Sequence, residues 1–253
     1  MSRSNETGHQ LTLLEHLAEL RQRLIWAALS LVVGTAACYA FVGTLREIVR
    51  RPARDVTLVY LTPPEALVTD LKLAFMGGVA LALPFIFYQV WAFVAPGLTR
   101  RERRLVWPGA VGSVLFFFTG AVFAYFVVLP FTVRFLIGFA SPGLQPMFSY
   151  SRYVAFVVAL ELSFGLVFQL PLVIMLLAAL GVVTPGALRR FRKVAIVLVF
   201  VVAALLTPPD VISQLIMAGP LLVLYEISIG LAWLVTRHRR LAQTAKTGGE
   251  HHE

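Results

Sequence analysis

The sequence predicts an all-α, polytopic membrane protein with six kinked transmembrane helices and cytoplasmic N- and C-termini. This fold class follows from an excess of apolar residues, six long apolar stretches and an uneven distribution of Lys and Arg between the loops. Apolar residues make up 58% of the 253 residues and charged residues only 14%, against about 25% charged residues in soluble domains. A single soluble core could not bury this excess, so we expect lipid to surround much of the chain.

Six apolar stretches are candidates for membrane-spanning helices. A helix needs about 20 apolar residues to cross the hydrocarbon, whereas barrel strands alternate between apolar and polar residues. The stretches are continuous, and they cover residues 24–45, 72–96, 105–129, 153–180, 194–207 and 211–235. We expect the third to stop at Pro130, and we expect Pro84, Pro171 and Pro220 to kink the second, fourth and sixth helices.

The loops on the two sides of the membrane differ in their basic residues. Loops on the side of the N-terminus carry 15 Lys and Arg residues and loops on the other side carry 7, and basic residues accumulate on the cytoplasmic side. The prediction is therefore a cytoplasmic amphipathic segment (1–23), a six-helix transmembrane domain (24–236) and a cytoplasmic disordered tail (237–253). Four arginines between Arg46 and Arg54 in the first external loop are an exception, which we interpret as solvated or headgroup-facing charge.

The fifth apolar stretch is too short for an ordinary crossing. Residues 194–207 would form a helix of about 21 Å, while the hydrocarbon is about 30 Å thick. Snorkelling of Arg192 and Lys193 or local thinning of the membrane would close the difference. Because residues 207–210 (TPPD) lead directly into the sixth stretch, these two helices resemble a tight hairpin with its outer tip low in the bilayer. A tilted neighbour that shields the tip is an equally good interpretation.

Motifs of the common enzyme classes are absent from the sequence. There is no HExxH metal motif, no phosphate-binding loop, no GxGxxG pattern and no GxSxG motif. The five histidines lie in the terminal segments, and the single cysteine, Cys38, lies in an apolar stretch where packing is its simplest role. We therefore expect no catalytic residue, metal or cofactor. We also expect no nucleic-acid partner, because no basic helix or aromatic–basic platform accompanies the net charge of +9.

Acidic residues in the predicted cytoplasmic segments are the first candidates for a binding site. Glu15 and Glu19 share one face of an amphipathic segment, whose simplest role is an interfacial helix with solvated charges. Glu102 lies among four arginines of a short loop. It is either neutralised by these neighbours or binds an external cation, and the loop alone does not decide between the two.

Polar residues at membrane depth are the second set of candidates. Glu161, Gln169 and Glu226 lie within predicted spans, where an ionisable residue is a functional hypothesis by default. The structural alternative is a hydrogen bond between helices, which contributes about 1 kcal/mol. We favour a functional role more for Glu226 than for Glu161.

Five motifs are spread along the chain from residue 16 to residue 227. They are HLAELRQRL (16–24), YQVWAFVAPGL (88–98) followed by ERR (102–104), AYF (124–126), LLTPPD (205–210) and YEI (225–227). In this order and on these sides of the membrane, they resemble the motifs of the TatC family, the largest subunits of twin-arginine protein translocases. One such motif would be weak, but five in register are specific.

The resemblance implies a signal-peptide receptor and core subunit that exports folded proteins across the inner membrane with the proton-motive force. The implied fold is a concave bundle of six kinked helices. The implied partners are TatA-type and TatB-type single-span subunits, twin-arginine signal peptides of folded substrates and membrane lipid. The resemblance also implies a homo-oligomer within a larger complex.

The resemblance assigns roles to particular residues. Glu19 and Glu102 match the two acidic recognition positions of the family, and carboxylates bind guanidinium groups by paired hydrogen bonds. The other residues of the same two motifs implied in signal-peptide binding are Leu17, Arg21, Phe93 and Pro96.

Further positions match outside the recognition motifs. Thr207 and Gln214 match polar positions that meet a partner helix, although Ala204 replaces an expected larger side chain. Pro52 and Asp210 match positions that shape loops. Gln169 departs from the pattern, because this position is often Glu in the family, and whether Glu161 takes over its role is left open.

Two other function classes are compatible with the composition. A proton-coupled small-solute transporter would use Glu161 and Glu226 to line a proton path, but such transporters have paired broken helices and repeats, and the sequence shows neither. A purely structural scaffold is the other class. Binding of a twin-arginine peptide, lost when its arginines become lysines, would separate a receptor from both.

Overall fold

The computed structural model describes residues 4–54, 56–98, 102–138, 147–206 and 211–247. Within these ranges, the side chains of residues 4–14, 102, 205–206, 212–213 and 238–247 are not described. The described elements are ten α-helices, short 3-10 and π turns and two strands of three residues each. The predicted all-α class is confirmed, and the strand pair is a small addition to it.

The helices have the following bounds in chain order. They are α1 (Ser4–Ala40), α2 (Val42–Arg50), α3 (Glu65–Val94), α4 (Val106–Phe123), α5 (Leu129–Ile137), α6 (Tyr150–Val167), α7 (Leu170–Ala179), α8 (Pro185–Arg190), α9 (Arg192–Leu206) and α10 (Val211–Thr247). The 3-10 turns are Arg51–Ala53, Ala95–Gly97 and Glu102–Leu105, the π turn is Ala124–Val128, and the strands are β1 (Thr57–Val59) and β2 (Met147–Ser149).

Five helical stretches among the described residues are long and apolar enough to cross a membrane. They are Glu15–Ala40, Glu65–Gly97, Arg103–Ile137, Tyr150–Ala179 and Gln214–Arg237. The helix α9 is apolar too, and its 15 described residues extend about 22 Å, so the described part of α9 is shorter than these five stretches. Large apolar side chains on the spans are exposed, for example Leu24 at 66% and Trp107 at 70%. Apolar surface of this extent is expected to face lipid.

Two helices are longer than the sequence predicts. The helix α1 runs unbroken from Ser4 into the first span, so residues 4–23 continue the span rather than forming a separate interfacial helix. The helix α10 continues to Thr247, which departs from the expectation of a disordered tail from residue 237. Residues 238–247 contain neither Gly nor Pro and are rich in Arg, Leu, Ala, Gln and Lys, which favour helix.

The third span does not stop at Pro130. The helix α4 passes through the π turn into α5, and Pro130 lies in the first turn of α5. Pro130 has no N–H to donate to the turn before it. In the π turn, the Leu129 N–H donates to the Ala124 carbonyl five residues earlier. This wider turn relieves the clash between proline and the preceding turn of helix.

The fourth span is interrupted next to Pro171, which was predicted to kink it. The helix α6 ends at Val167 and α7 starts at Leu170, with Pro171 in the first turn of α7. By contrast, the helices α3 and α10 are continuous through Pro84 and Pro220.

The chain forms two compact units, which are Met1–Ile48 with Ala66–Val114 and Val49–Glu65 with Leu115–Glu253. In the first unit, α1 crosses α3 closely, because a Cβ added at Gly34 would lie 2.8 Å from the carbonyl oxygen of Gly78. In the second unit, α10 packs against α7, α8 and α9. Small residues at a crossing let the backbones of membrane helices approach.

The strands of the second unit join the segment before α3 to the segment before α6. The strand β1 pairs in parallel with β2, with Thr57 opposite Met147. The Tyr153 hydroxyl on α6 donates to the Val49 carbonyl oxygen at 2.9 Å. Pro52, predicted to shape this loop, lies half-buried in the 3-10 turn before β1.

Candidate functional site

Glu19 is held on α1 by two residues of the same helix. Arg23 donates from Nε and Nη2 to Glu19 Oε1 at 2.9 and 2.6 Å, and His16 Nδ1 lies 3.8 Å from Oε2. Residues three and four apart share one face of a helix, so α1 itself orients the carboxylate. Both guanidinium contacts go to Oε1, which leaves Oε2 available to a second donor.

The helix α3 supplies the other side of this site. Arg23 Nη1 donates to Gln89 Oε1 at 3.0 Å, and the His16 ring stacks on Phe93 with centroids 4.3 Å apart and planes 14° apart. Gln89 and Phe93 lie one turn apart on α3, so one face of α3 meets one face of α1. We call these five residues, His16, Glu19, Arg23, Gln89 and Phe93, the Glu19 cluster.

The Glu19 cluster joins two motifs that the sequence singled out separately. Glu19 and Phe93 were predicted site residues, and the structure connects them through His16. His16, Arg23 and Gln89 were not predicted, although they lie inside the same motifs and the two on α1 are three and four residues from Glu19. The remaining candidates of these motifs, Leu17, Arg21 and Pro96, are exposed.

Glu102 opens the 3-10 turn that precedes α4 in the same unit. Its side chain is outside what the structure describes, and residues 99–101 lie outside the described residues altogether. The helices on either side of this loop are fastened to each other. Trp91 Nε1 donates to Ser113 Oγ at 2.9 Å, and the Ser113 hydroxyl donates to the Gly109 carbonyl oxygen at 2.9 Å. The two helices that flank the loop of Glu102, α3 and α4, are therefore fixed to each other.

Gln169 lies buried at the break between α6 and α7. Its backbone N–H donates to the Leu166 carbonyl at 3.0 Å, and its side-chain Nε2 lies 3.5 Å from the Gly165 carbonyl oxygen. An amide can donate to this oxygen, whereas an ionised carboxylate cannot. The broken helix thus gives a structural reason for Gln at a position where the family pattern suggested Glu.

Glu161 lies half-buried on α6. Tyr153 lies on the same helix, and Tyr125 of the AYF motif lies in the π turn of the same unit.

Glu226 is part of an ion pair between helices. Arg192 Nη2, at the start of α9, donates to Glu226 Oε2 at 2.7 Å, and the two side chains are 47% and 55% exposed. The neighbouring Tyr225 hydroxyl donates to the Leu188 carbonyl oxygen of α8 at 2.8 Å. Tyr225 and Glu226 of the YEI motif thus fasten α10 to the helices that precede it.

Of the residues implied in partner contact and in loop shape, the structure describes some and not others. Gln214 Nε2 on α10 donates to the Phe200 carbonyl oxygen of α9 at 3.0 Å, so it bridges the α9–α10 hairpin. Thr207 and Asp210 lie outside the described residues. No group of three or more His, Cys, Asp or Glu side chains suited to a metal occurs in the described part of the chain.

The spans and the Glu19 cluster define a multi-pass helical membrane protein with a cluster of charged and aromatic side chains on its first and third helices. The family model described as Sec-independent protein translocase protein (TatC) matches residues 15–220. The chain belongs to the TatC family. It is therefore a translocase subunit of the inner membrane and not an enzyme.

The relatives are similar over most of their length. "Sec-independent protein translocase protein TatC" of Desulforapulum autotrophicum is 43% identical over 220 residues, which cover 85% of this chain and 82% of the relative. The protein of the same name from Aquifex aeolicus is 41% identical over 239 residues, which cover 92% and 99% of the two chains. A solved structure titled "Crystal Structure of Twin Arginine Translocase Receptor- TatC" matches with a TM-score of 0.75 and 41% identity, over 87% of this chain and 99% of that chain.

Proposed function

We propose that the Glu19 cluster binds an arginine of the twin-arginine signal peptide. The protein would serve as signal-peptide receptor and core subunit of the translocase, which exports folded proteins with the proton-motive force. The observation that carries this proposal is the asymmetry of the Glu19 carboxylate, whose Oε1 accepts both bonds from Arg23 while Oε2 has the His16 ring at 3.8 Å. A guanidinium approaching Oε2 would add charge-assisted hydrogen bonds to an already oriented acceptor.

The neighbours of Glu19 support recognition of arginine rather than of a simple cation. Gln89 and Glu19 together hold the guanidinium of Arg23, so the cluster already contains one bound guanidinium. The stacked rings of His16 and Phe93 form a flat wall on which a second planar guanidinium can lie. Glu102 would supply the second carboxylate, and Leu17, Arg21 and Pro96 would contact other parts of the peptide.

We further propose six crossings with both termini in the cytoplasm. The support is the excess of basic residues on the side of the N-terminus and the apolar character of α9. The arginine-rich first external loop fits this orientation better than its sequence suggested. Arg46 forms a bidentate pair with Asp70, with Nε–Oδ1 and Nη2–Oδ2 distances of 3.0 and 2.5 Å, and is thereby neutralised.

TatA-type and TatB-type single-span subunits are the proposed protein partners, within a complex that holds several copies of this chain. The α9–α10 hairpin is the proposed contact for a partner helix, through Gln214 and Thr207. Because Gln214 Nε2 donates to the Phe200 carbonyl oxygen, the Gln214 side-chain oxygen can accept a hydrogen bond from a partner helix. Glu161, Gln169 and Glu226 are proposed as polar positions within the spans that interact with a partner helix or take up a proton.

A charge reversal with a matched control tests the recognition site. Glu19→Lys and Glu102→Lys should each abolish export and crosslinking of a twin-arginine signal peptide, since a lysine there repels the arginines. Glu15→Lys makes the same change one turn earlier on α1, at an exposed residue outside the Glu19 cluster, and should retain both. The proposal is wrong if Glu19→Lys and Glu102→Lys both export and crosslink like the unchanged protein.

A further inference from the structure

A basic groove in the second unit has no part in the proposed receptor function. Its volume is about 490 Å³, and it lies between the start of α8 and the C-terminal half of α10. Two arginines, two threonines and a tryptophan give it its chemistry, namely Arg189, Arg237, Thr184, Thr236 and Trp233. We call it the α8–α10 groove.

The α8–α10 groove presents donors and positive charge. The Arg237 guanidinium lies over the Trp233 ring, with Cζ 5.1 Å from the ring centroid, and this cation–π contact holds it at the groove. Arg189 is exposed on the short helix α8. None of the described lining residues is acidic. The groove is therefore suited to an anion.

The threonines support the same conclusion. Thr184 Oγ1 accepts the Ala187 N–H at 3.2 Å as the cap of α8, so its hydroxyl hydrogen remains to donate toward the groove. The Thr236 hydroxyl donates to the Ala232 carbonyl of its own helix, so Thr236 is already fixed in place. One hydroxyl donor and two guanidinium groups thus face a shared space, a set that matches the oxygens of a phosphate.

The surroundings of the groove place it at the membrane interface. Trp233 and Arg237 lie at the end of the apolar span Gln214–Arg237, and Trp and Arg at span ends mark the level of the headgroups. Large apolar side chains close in sequence to the lining residues are exposed, with Val182 at 69%, Leu234 at 47% and Leu180 at 39%. A ligand with a charged head and apolar tails would cover both parts of this surface.

We infer that the α8–α10 groove binds the phosphate of an anionic phospholipid in the cytoplasmic leaflet, with acyl chains along Val182, Leu180 and Leu234. Basic pockets between transmembrane helices on this side of a membrane bind such headgroups. The inference rests on the cytoplasmic orientation proposed above, but not on binding of the signal peptide. A lipid bound here would fasten α8 to α10, next to the Arg192–Glu226 pair at the root of the short α9.

Lipid binding to the full-length, delipidated protein in detergent tests the inference. Native mass spectrometry would compare dioleoyl phosphatidylglycerol with dioleoyl phosphatidylcholine. Arg189→Gln and Arg237→Gln should each weaken binding of phosphatidylglycerol about fivefold, the effect of one guanidinium near an anionic lipid, and leave phosphatidylcholine unchanged. Arg190→Gln removes the same charge from the neighbouring position of α8, outside the groove, and should leave both lipids unchanged. If Arg190→Gln weakened binding of phosphatidylglycerol as much as Arg189→Gln, the effect would come from general surface charge. That result would contradict a specific site in the groove.

A second measurement does not depend on the arginine variants. Brominated phosphatidylglycerol should quench the fluorescence of the unchanged protein more than brominated phosphatidylcholine, and the difference should disappear in Trp233→Phe. Inorganic phosphate or an acidic peptide at the same concentration as the lipid should not reverse the quenching. Quenching that is equal for both lipids, or reversed by either competitor, would contradict a phospholipid site.

Discussion

At the scale of single residues, Glu65 and Glu19 differ in how many hydrogen bonds the folded chain already makes to them. Glu65 is buried, and its two oxygens accept four bonds, from the Leu61 N–H at 2.6 Å, the Thr62 N–H at 3.2 Å, the Ser149 hydroxyl at 2.7 Å and the Ser151 N–H at 3.0 Å. Glu19 is partly exposed and uses one oxygen for Arg23. The first carboxylate therefore stabilises the fold, whereas the second can bind a ligand. The spacing Thr62-x-x-Glu65 is that of a helix capping box, a signal for Glu65 that our sequence analysis missed.

Because of these four hydrogen bonds, we expect substitution of Glu65 to destabilise the protein more than substitution of a surface glutamate. In Glu65→Gln, one oxygen becomes an NH2 group that faces N–H and O–H donors, and the charge that strengthens the remaining bonds is lost. The melting temperature of the purified protein should fall by several degrees. Glu47→Gln, at an exposed position of α2, should leave it unchanged. Equal melting temperatures for the two variants would contradict the structural role of Glu65.

At the scale of the element, helix crossings without room for a Cβ fix the second unit. A Cβ at Gly120 would lie 2.6 Å from the Phe164 carbonyl oxygen, and one at Gly165 would lie 2.4 Å from the Phe117 ring. The helices α4 and α6 therefore touch backbone to backbone, and Phe123 and Phe168 pack around Phe164 at this crossing. Membrane helices lack a hydrophobic force that drives them together, so close packing of this kind contributes much of their association.

A single methyl group tests the α4–α6 crossing. Because the nearest atom to the added Cβ is backbone, Gly120→Ala forces the helices apart and should cost about 1–3 kcal/mol of stability. Gly219→Ala is the matched control on α10, where an added Cβ meets no atom within 4 Å. Thermal or chemical unfolding in detergent would compare the two. A Gly120→Ala protein as stable as Gly219→Ala would refute the close crossing.

At the scale of the whole molecule, the arrangement of the chain across the membrane decides what each site can meet. The proposed orientation puts the Glu19 cluster and the α8–α10 groove on the cytoplasmic side and the β1–β2 pair outside. It depends on α9 crossing the membrane despite its 15 residues. If α9 did not cross, the loop before it and the tail after α10 would lie on opposite sides.

Single cysteines in a Cys38→Ala background test this orientation. A membrane-impermeant maleimide should label Thr57→Cys in intact cells. It should label Gln22→Cys, Arg190→Cys and Thr244→Cys only after the cells are permeabilised. Labelling of Arg190→Cys and Thr244→Cys from opposite sides would show that the α9–α10 hairpin does not cross twice.

Much of the fold could be predicted from the sequence, because lipid imposes a simple rule on length and hydropathy. The spans, the interruption at Pro171 and the short α9 follow from that rule. The continuation through Pro130 could not be predicted, since it depends on a π turn whose extra residue leaves no mark in hydropathy. The continuation of α10 to Thr247 was missed because polarity was taken for disorder, although the helix propensity of those residues argues otherwise.

The candidate recognition site could be predicted only in part, for a geometric reason. Glu19 and Phe93 lie in motifs of recognisable order, and that order carried the resemblance. Arg23 binds the carboxylate and is itself held by Gln89 of another helix, 66 residues further along the chain. No periodicity on either helix encodes such a contact, so it required the structure.

The close crossing of α1 and α3 at Gly34 and Gly78 has a mechanical consequence. Glu19 lies 15 positions from Gly34 along an unbroken helix, which is about 22 Å. If α1 tilts about this crossing, a small angle gives a large displacement at the polar end of the helix. A tilt of about 10° would sweep the carboxylate through about 4 Å, a displacement longer than a hydrogen bond. The stack of His16 on Phe93 and the bond from Arg23 to Gln89 oppose such a tilt, because both join the polar end of α1 to α3.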